Sequence, residues 1–327
     1  MYANTTVSSY LFTLGPTQQH YLSTAQPFYY SPKAHLLSPL PDNYLALAAP
    51  VFTYWASSLF FHVLDISNWH WLEKHRIHES AEVKSRNLAT RWQVIRAVLL
   101  QQLVQTVLGY LWMGEQVSGA GVDHIGNMMR LGLMLMRVLS LTVGENAGGR
   151  ILESYGAQLL YAIYWWAIPI AKFFFGMFII DTWQYFLHRG MHMNIWLYKQ
   201  FHSVHHRLYV PYAFGALYNH PLEGLLLDTL SAGLAELFSG MTMREATMLF
   251  CISTLKTVDD HCGYRLPFDP LQLVSGNNAD YHDIHHQIVG IKSNFSQPFF
   301  IHWDVFLGTR MTRQDIEQRR QKQKKTL

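Results

Sequence analysis

The sequence predicts an all-α membrane protein: a transmembrane helix bundle with a histidine-rich helical cap on its cytosolic side. Three observations predict this fold class. The chain contains long apolar stretches almost without charge, its basic residues gather beside particular ends of those stretches, and its histidines gather in one region. Half of the 327 residues are hydrophobic, which suits a membrane bundle or a globular core, so the arrangement of the apolar residues decides between them.

Three stretches have the length and apolarity of membrane spans. A helix needs roughly 20 residues to cross a hydrocarbon core. Tyr44 to Leu64 and Ala97 to Met113 contain no charged side chain, and Gln158 to Ile180 contains only Lys172. We therefore expect each of the three to cross the bilayer.

Two further apolar stretches do not fit a simple crossing. Residues 131–143 are short and interrupted by Arg137, so we expect them at the lumenal interface or buried among helices. Leu222 to Val258 is long, carries charged residues that include Asp228, Glu236, Arg244 and Glu245, and is broken near Ser239-Gly240. It predicts a helical hairpin that dips into the membrane and returns the chain to the side from which it came.

The positions of lysine and arginine predict the orientation, because cytosolic loops accumulate both. Residues 65–96 contain six basic residues, whereas residues 1–43 contain only Lys33. The loop is therefore expected in the cytosol and the N-terminal segment in the lumen, where Asn4-Thr5-Thr6 is a possible glycosylation acceptor. Counting spans from there brings the chain back to the cytosol shortly before His188.

Composition excludes several classes of protein. A net charge of +3 is too small and dispersed to favour nucleic-acid binding. Cys251 and Cys262 cannot form a disulfide framework, and we expect reduced thiols. The tail contains Lys324-Lys325, which resembles the dilysine retrieval signal of endoplasmic reticulum membrane proteins; a solvated basic tail beside anionic lipid is the alternative.

Ten of the eighteen histidines fall between residues 188 and 286, most of them in three clusters. His188 and His192 are four residues apart, a spacing that places two side chains on one face of a helix. The other two clusters repeat the pattern His-x-x-His-His, and we expect each of them to offer three imidazoles to one side of a helix. The clusters are His188 and His192; His202, His205 and His206; and His282, His285 and His286.

These clusters predict a metal centre. Three imidazoles packed together without a metal leave ring nitrogens without partners, and protonated rings repel one another. Eight or more histidines exceed the needs of one zinc ion and suit two metals. Neutral imidazole suits iron, zinc, copper or nickel, and iron fits the oxidation of an unreactive hydrocarbon at a membrane. The alternative from another class is a histidine-rich metal transporter or sensor, although transporters place their ligands near the bilayer midplane.

The three clusters resemble those of the fatty acid hydroxylase and sterol desaturase superfamily. Further matches are Asn219-His220-Pro221-Leu222-Glu223, His261-Cys262-Gly263-Tyr264, and Asp304 to Thr309. Asp42-Asn-Tyr-Leu, Phe61-His62 and Thr90-Arg91-Trp92-Gln93 are most similar to fungal sphingolipid C4-hydroxylases.

The resemblance implies a non-haem di-iron monooxygenase, with a cytosolic di-iron centre, that hydroxylates carbon 4 of a sphingoid base or dihydroceramide. Sterol C5-desaturases and sterol C4-methyl oxidases share the histidine pattern and stay open as alternatives. No flavin, nicotinamide or haem motif is apparent, so the resemblance implies electrons from cytochrome b5 and an NAD(P)H-dependent reductase. Arg189, Lys199 and Arg207 could dock that partner, or could meet lipid phosphates.

The resemblance also assigns residues. It makes the eight clustered histidines the iron ligands and catalytic residues, adds His261 to the metal ligands, and adds His220 as a ligand or as a group behind the ligands. Candidate carboxylates to orient the imidazoles are Asp181, Asp280 and Asp283. Gln101, Gln102 and Gln105 could bind a lipid head group or hydrogen-bond neighbouring helices.

The predicted organisation has four parts. They are a lumenal segment (1–43), an N-terminal membrane region (44–157) with the cytosolic loop 65–96, a fatty acid hydroxylase domain (158–310), and a basic cytosolic tail (311–327).

Overall fold

A computed structural model describes residues 14–67, 69–113 and 122–326, and this part of the chain is helical, with no strand. The all-α prediction is confirmed for it. The possible glycosylation acceptor at Asn4 lies outside the described residues. The α-helices are α1 (Pro16–Thr24), α2 (Asp42–Ile66), α3 (His70–Glu73), α4 (Ser80–Arg86), α5 (Arg91–Met113), α6 (His124–Val143), α7 (Glu145–Ala162), α8 (Ile168–Met193), α9 (Ile195–Leu197), α10 (Pro221–Gly224), α11 (Leu230–Ser239), α12 (Met243–Asp260), α13 (Pro270–Val274), α14 (Ala279–His286), α15 (His302–Phe306) and α16 (Arg313–Thr326).

Five short segments depart from α-helical geometry. Three are π-helical turns, at Ile163–Ala167, Tyr198–His202 and Leu225–Thr229, and two are 3-10 turns, at His205–Arg207 and Ala213–Leu217. A π turn inserts an extra residue into a helix and is frequent at functional sites. One of the three π turns here, Tyr198–His202, contains a clustered histidine.

Three helical stretches are long and apolar enough to cross a membrane: Asp42–Ile66, Arg91–Leu111 and Glu145–Met193. They contain the first and third predicted spans and all but the last two residues of the second, so the chain is a membrane protein by length and composition. The third stretch runs through α7, a π turn and α8 over 49 residues, more than twice the length that one crossing requires. Helix α6, which contains the short stretch 131–143, is not among the three.

Helices α2 and α5 carry large apolar side chains on their exposed faces, and α5 carries buried glutamines. Phe52 and Phe60 of α2 and Leu103 of α5 are more than half exposed, whereas Gln101 and Gln102 of α5 are buried. This is the reverse of a water-soluble helix, which turns its polar face outward. It suits helices whose outer surface contacts lipid.

The chain divides into two compact units, and the first comprises residues 1–36 and 117–172. In it, α6 begins where the Asp123 side chain accepts a hydrogen bond from the Gly126 amide (2.8 Å). Gly144 then turns the chain into α7 with a φ of 88°, a conformation that favours glycine. Helix α1 is tied to α7 because Gln18 donates to the carbonyls of Leu152 and Glu153.

The second unit comprises residues 37–116 and 173–327, and α2, α5 and α12 frame its core. The Tyr54 hydroxyl of α2 donates to the Phe214 carbonyl (2.7 Å). At the end of α2, the Asp65 carboxylate pairs with the buried Arg76 guanidinium (2.9 Å) and accepts from the Tyr264 hydroxyl (2.9 Å). These contacts join the first span to the segment that follows the histidine at position 261.

The predicted break near Ser239-Gly240 is confirmed, and it separates helices α11 and α12. Helix α11 ends at Ser239, Gly240 adopts a left-handed conformation with a φ of 61°, and α12 follows. In α12, the Thr242 side chain accepts from the Glu245 amide and the Glu245 carboxylate accepts from the Thr242 amide. This reciprocal cap fixes the start of the returning helix.

The predicted basic tail is not a free segment throughout. It forms helix α16, with Met311 and Ile316 packed against Ile284 of α14. Arg313 pairs with Asp280 (3.0 Å) and with Asp283. The tail therefore packs on the helix that carries the third histidine cluster.

The Asp65–Arg76 pair gives a test of the second unit. Asp65→Asn keeps the side-chain volume but leaves the buried guanidinium without that counter-charge, which costs roughly 1–3 kcal/mol. We expect the midpoint of thermal unfolding in detergent to fall by several degrees. Glu153→Gln, at an exposed position, is the control and should leave the midpoint unchanged; equal midpoints for both variants would contradict the assignment.

Candidate metal centre

The first histidine cluster follows the predicted third span along the chain. His188 and His192 are one turn apart near the end of α8, and both are buried. Their ring centroids are 4.8 Å apart. The spacing of four residues therefore brings both rings to one face, as predicted.

The second cluster does not lie on an α-helix. His202 ends the π turn Tyr198–His202, and His205 and His206 begin a 3-10 turn. The expectation of one α-helical face for this cluster is wrong. The tight 3-10 turn separates neighbouring rings, so that the ring planes of His205 and His206 are perpendicular to each other.

The third cluster lies on α14, which begins where Asn278 accepts a hydrogen bond from the Tyr281 amide (3.0 Å). On an α-helix, residues i and i+4 differ by about 40° around the axis, whereas i+3 and i+4 differ by about 100°. His282 and His286 therefore point the same way, and His285 points elsewhere. In the structure, His282 and His286 accordingly belong to one group of histidines and His285 to another.

The nine histidines form two groups, in each of which the ligand atoms lie within 4.8 Å of one another. Each His-x-x-His-His cluster contributes its first and last histidines to one group and its middle histidine to the other. This corrects the expectation that each cluster offers three nitrogens to one side. The five-histidine group is His188, His192, His202, His206 and His285, and the four-histidine group is His205, His261, His282 and His286.

Within each group, the Nε2 atoms face one another at close range. In the five-histidine group, Nε2 atoms of neighbouring rings are 3.0 to 3.2 Å apart. In the four-histidine group, His282 Nε2 is 3.0 Å from the Nε2 atoms of both His261 and His286. Two imidazole nitrogens bound to one metal at about 2.1 Å and at about a right angle would be about 3.0 Å apart.

The outer ring nitrogens explain why Nε2 is the inward atom. An Nδ1–H that donates outward leaves Nε2 as a lone pair in the neutral ring. Five Nδ1 atoms contact backbone carbonyls at 2.7 to 3.2 Å. A sixth, on His202, contacts the Glu223 carboxylate. The carbonyl pairs are His188 with Phe295, His205 with Tyr218, His261 with Thr257, His285 with Ser293 and His286 with Leu208.

Burial keeps the imidazoles outside the spans neutral, because it disfavours a charged ring. It lowers the pKa of His205 to about 4, and that of His261 and of His285 to about 3. Burial and the neighbouring imidazoles also hold the pKa values of His202, His206, His282 and His286 well below the usual range. Neutral rings with inward lone pairs are the form in which histidine binds metals.

The residues therefore fit two metal ions. The buried Nε2 of His285 has no hydrogen-bond partner among the described residues, and it points into the five-histidine group. Its lone pair faces other lone pairs, so only a cation or a donor proton would satisfy it. The groups also adjoin each other: the ring centroids of His206 and His286, one from each group, are 4.8 Å apart.

Comparison with known proteins gives the family. The family model of fatty acid hydroxylases matches residues 173–309. Sphingolipid C4-hydroxylase SUR2 of Saccharomyces cerevisiae is 49% identical over 279 residues, covering 85% of this chain and 74% of the relative. The chain belongs to the fatty acid hydroxylase family.

Two further relatives extend over similar lengths. Sphingolipid C4-hydroxylase sur2 of Schizosaccharomyces pombe is 44% identical, covering 82% of this chain and 88% of the relative. Sphinganine C4-monooxygenase 2 of Arabidopsis thaliana is 40% identical, covering 83% and 88%. No solved structure matches the chain.

His220 is the one expected ligand that the structure leaves outside both groups. Its Nδ1 accepts a hydrogen bond from the Leu222 amide (3.2 Å) and so caps α10. Its ring packs edge-on against Phe201. The first backbone amides of α10 have no acceptor within the helix, and His220 supplies an acceptor for one of them.

None of the three expected carboxylates contacts a ligand imidazole. Asp181 accepts from the Phe299 and Phe300 amides, and Asp280 pairs with Arg313. Asp283 contacts His78 Nε2 (2.8 Å). They hold the surrounding segments together instead.

The sequence reasoning missed Glu223, whose carboxylate contacts His202 Nδ1. Its signal was present in Asn219-His220-Pro221-Leu222-Glu223, which contributed only to the family resemblance. It also missed Asp304, whose carboxylate accepts from the Phe295 and Ser296 amides and from the Tyr281 hydroxyl. Asp304 thus fixes the loop whose Phe295 carbonyl contacts His188.

The three glutamines of α5 hydrogen-bond neighbouring segments, which was one of the two roles expected for them. Gln101 donates to Asp228 (3.1 Å) and Gln105 donates to the Gly224 carbonyl (3.2 Å). Gln102 accepts from the Trp55 indole (2.9 Å). Polar residues in a span satisfy one another in this way where no water is available.

The division into two groups gives a test by metal content. His261→Ala removes one ligand from the four-histidine group and leaves the five-histidine group complete. We expect the purified, metal-loaded variant to hold about one metal ion per chain where the parent holds two, measured by elemental analysis.

His220→Ala is the matched control, because His220 lies in the same unit but in neither group. It should keep two metal ions. Loss of a metal ion from His220→Ala, or two ions retained by His261→Ala, would contradict the grouping.

Proposed function

We propose that this chain is a di-iron monooxygenase that hydroxylates carbon 4 of the sphingoid long-chain base, as the free base or within dihydroceramide. The observation that supports the proposal most strongly is the similarity to two fungal sphingolipid C4-hydroxylases over more than four fifths of the chain. The products would be phytosphingosine or phytoceramide.

The nine buried histidines would hold the two iron ions, five around one and four around the other. Bound iron supplies the activation of dioxygen that oxidation of an unreactive carbon–hydrogen bond requires. The chain's own contribution is to orient the imidazoles through their Nδ1 atoms, to keep them neutral by burial, and to exclude water from the centre. Glu223 contacts His202 directly, and Asp304 fixes the loop whose Phe295 carbonyl contacts His188.

The overall reaction balances with two electrons and two protons. One carbon–hydrogen bond and the oxygen–oxygen bond break, one oxygen atom becomes the new hydroxyl group, and the other leaves as water. We propose that cytochrome b5, reduced by an NAD(P)H-dependent reductase, supplies the electrons. Its docking surface would include Lys199, which is exposed, and the partly buried Arg189 and Arg207.

The alternatives receive less support. Sterol C5-desaturases and sterol C4-methyl oxidases use the same histidine pattern, but the three relatives named above, each aligned over more than four fifths of this chain, carry sphingolipid or sphinganine names. A transporter needs ligands that can release their ion. The buried imidazoles here, anchored by their Nδ1 atoms, favour a resident metal over a transported one.

We also propose the endoplasmic reticulum membrane as the location, with the metal centre and the tail facing the cytosol. The six basic residues of 65–96 support the orientation, and Lys324-Lys325 supports the compartment. Within this arrangement, residues 158–310 would form the fatty acid hydroxylase domain, and the family match of 173–309 falls inside it.

Turnover in a defined system tests the function. We expect iron-loaded protein in lipid nanodiscs, supplied with dihydrosphingosine, dioxygen and reduced cytochrome b5, to produce a 4-hydroxylated base that mass spectrometry detects. His192→Ala, which removes a ligand of the five-histidine group, should lower the product by at least about 100-fold.

Parallel incubations separate the alternatives. A 4-methyl sterol and a C5-saturated sterol should remain unchanged, and oxidation of either without hydroxylation of dihydrosphingosine would favour a sterol enzyme. Metal uptake into sealed vesicles without oxygen consumption would favour a transporter.

Labelling of introduced cysteines tests the orientation. Ser85 and Ser23 are both exposed, and they lie on opposite sides of the first predicted span. In a Cys251→Ser background, we expect a membrane-impermeant maleimide to label Ser85→Cys in sealed microsomes and to label Ser23→Cys only after the membrane is opened. The opposite pattern would reverse the proposed orientation.

A further inference from the structure

Glu223 is distinguished from every other described residue that contacts a ligand imidazole, because it does so through a carboxylate. Its side chain has no exposed surface, and one carboxylate oxygen contacts His202 Nδ1. The other oxygen, Oε2, is buried and has no hydrogen-bond partner in the described part of the chain. His202 is therefore the one described side chain to which this carboxylate is hydrogen-bonded.

We propose that Glu223 is a positioning residue that adds a difference in ligand basicity to the difference in ligand number between the two metal positions, by giving the five-histidine group a more basic ligand than the four-histidine group has. A carboxylate behind a histidine fixes its tautomer and raises the basicity of the metal-facing nitrogen. A hydrogen bond to a full charge is also about twice as strong as one to a neutral carbonyl.

The asymmetry is present in the distribution of the outer partners. In the four-histidine group, His205, His261 and His286 all contact backbone carbonyls through Nδ1. In the five-histidine group, His188 and His285 do the same, and only His202 contacts a carboxylate. Among these outer partners of the ligand imidazoles, the one carboxylate is that of Glu223, and the others are backbone carbonyls.

The fold holds Glu223 from the side of α8. Glu223 lies in α10, which runs directly into the π turn Leu225–Thr229. The carbonyls of Leu226 and Leu227 in that turn accept hydrogen bonds from Trp183 Nε1 (2.8 Å) and Gln184 Nε2 (3.0 Å). Trp183 and Gln184 belong to α8, which also carries His188 and His192, so one helix positions both the ligands and the carboxylate behind a third ligand.

Helix α5 holds the same segment from another side. Gln105 donates to the Gly224 carbonyl and Gln101 donates to Asp228. A Cβ atom on Gly224 would lie 2.3 Å from Cδ of the buried Gln101 side chain. The Gln101 side chain therefore packs directly on the backbone of the residue after Glu223, and no side chain fits there unless Gln101 moves.

Asp228 supplies a matched control. It is a second carboxylate in the same segment, hydrogen-bonded to Gln101, and it contacts no ligand imidazole. Glu223→Gln and Asp228→Asn each replace a carboxyl group by an amide with almost no change in volume, and the second keeps a side-chain oxygen that can accept from Gln101. Only the first alters the partner of His202.

Titration of metal-free protein with Co²⁺ tests the proposal, with the optical spectrum and chelator competition as readouts. We expect Glu223→Gln to bind two ions, with affinity for one position reduced about 10- to 100-fold and its spectrum shifted. The affected position should be the one that survives in His261→Ala. Asp228→Asn should match the parent in both affinities and in its spectrum.

Two results would overturn the proposal: parental affinities and spectrum in Glu223→Gln, or an equal loss in Asp228→Asn. If Glu223→Gln does not fold, Glu223→Asp withdraws the carboxylate from His202 by the length of one methylene group without changing its chemistry. That variant should show the same loss at one position, and two parental affinities would again overturn the proposal. The inference rests on the proposed di-metal function, but a protein that binds two Co²⁺ ions unequally and makes no hydroxylated base would refute the function alone.

Discussion

The structure depends on one constraint: nine neutral imidazoles direct their unprotonated nitrogens toward one another inside a buried space. Six of the rings are held by contacts behind them, and several of those contacts come from distant segments. His286 of α14 reaches the Leu208 carbonyl, and His188 of α8 reaches the Phe295 carbonyl. The same contacts that orient the rings therefore join the segments of the second unit, and cations in the space between the lone pairs would satisfy the arrangement.

The sequence predicted the helices and the histidine clusters better than the contacts between residues that are distant along the chain. The three spans could be predicted because apolarity over 20 residues is a property of the sequence itself, and the break at Gly240 because glycine accepts a left-handed backbone. The three histidine clusters were equally visible. Their division into two groups was not, because spacing along one helix gives the angle between two rings but not the segment that each ring faces.

The same limit explains why the carboxylates expected to orient the imidazoles do not contact them. Asp181 lies seven residues before His188 and so on nearly the same helical face, but about 10.5 Å away along the axis. Asp283 follows His282 directly and is rotated by about 100° from it. Glu223, by contrast, is 21 residues from His202 in sequence, and only the tertiary fold brings the two together.

Helix α5 is more than a membrane anchor. An anchor needs only an apolar surface, and Leu103 provides part of one, yet the buried face carries Gln101 and Gln105. The side-chain amide of each donates a hydrogen bond to the segment next to Glu223. An apolar residue at either position would be easier to insert into a bilayer. Because that segment sets the partner of His202, the span sequence also specifies the surroundings of a metal ligand. The membrane region and the metal centre are therefore parts of one hydrogen-bonded structure within the second unit.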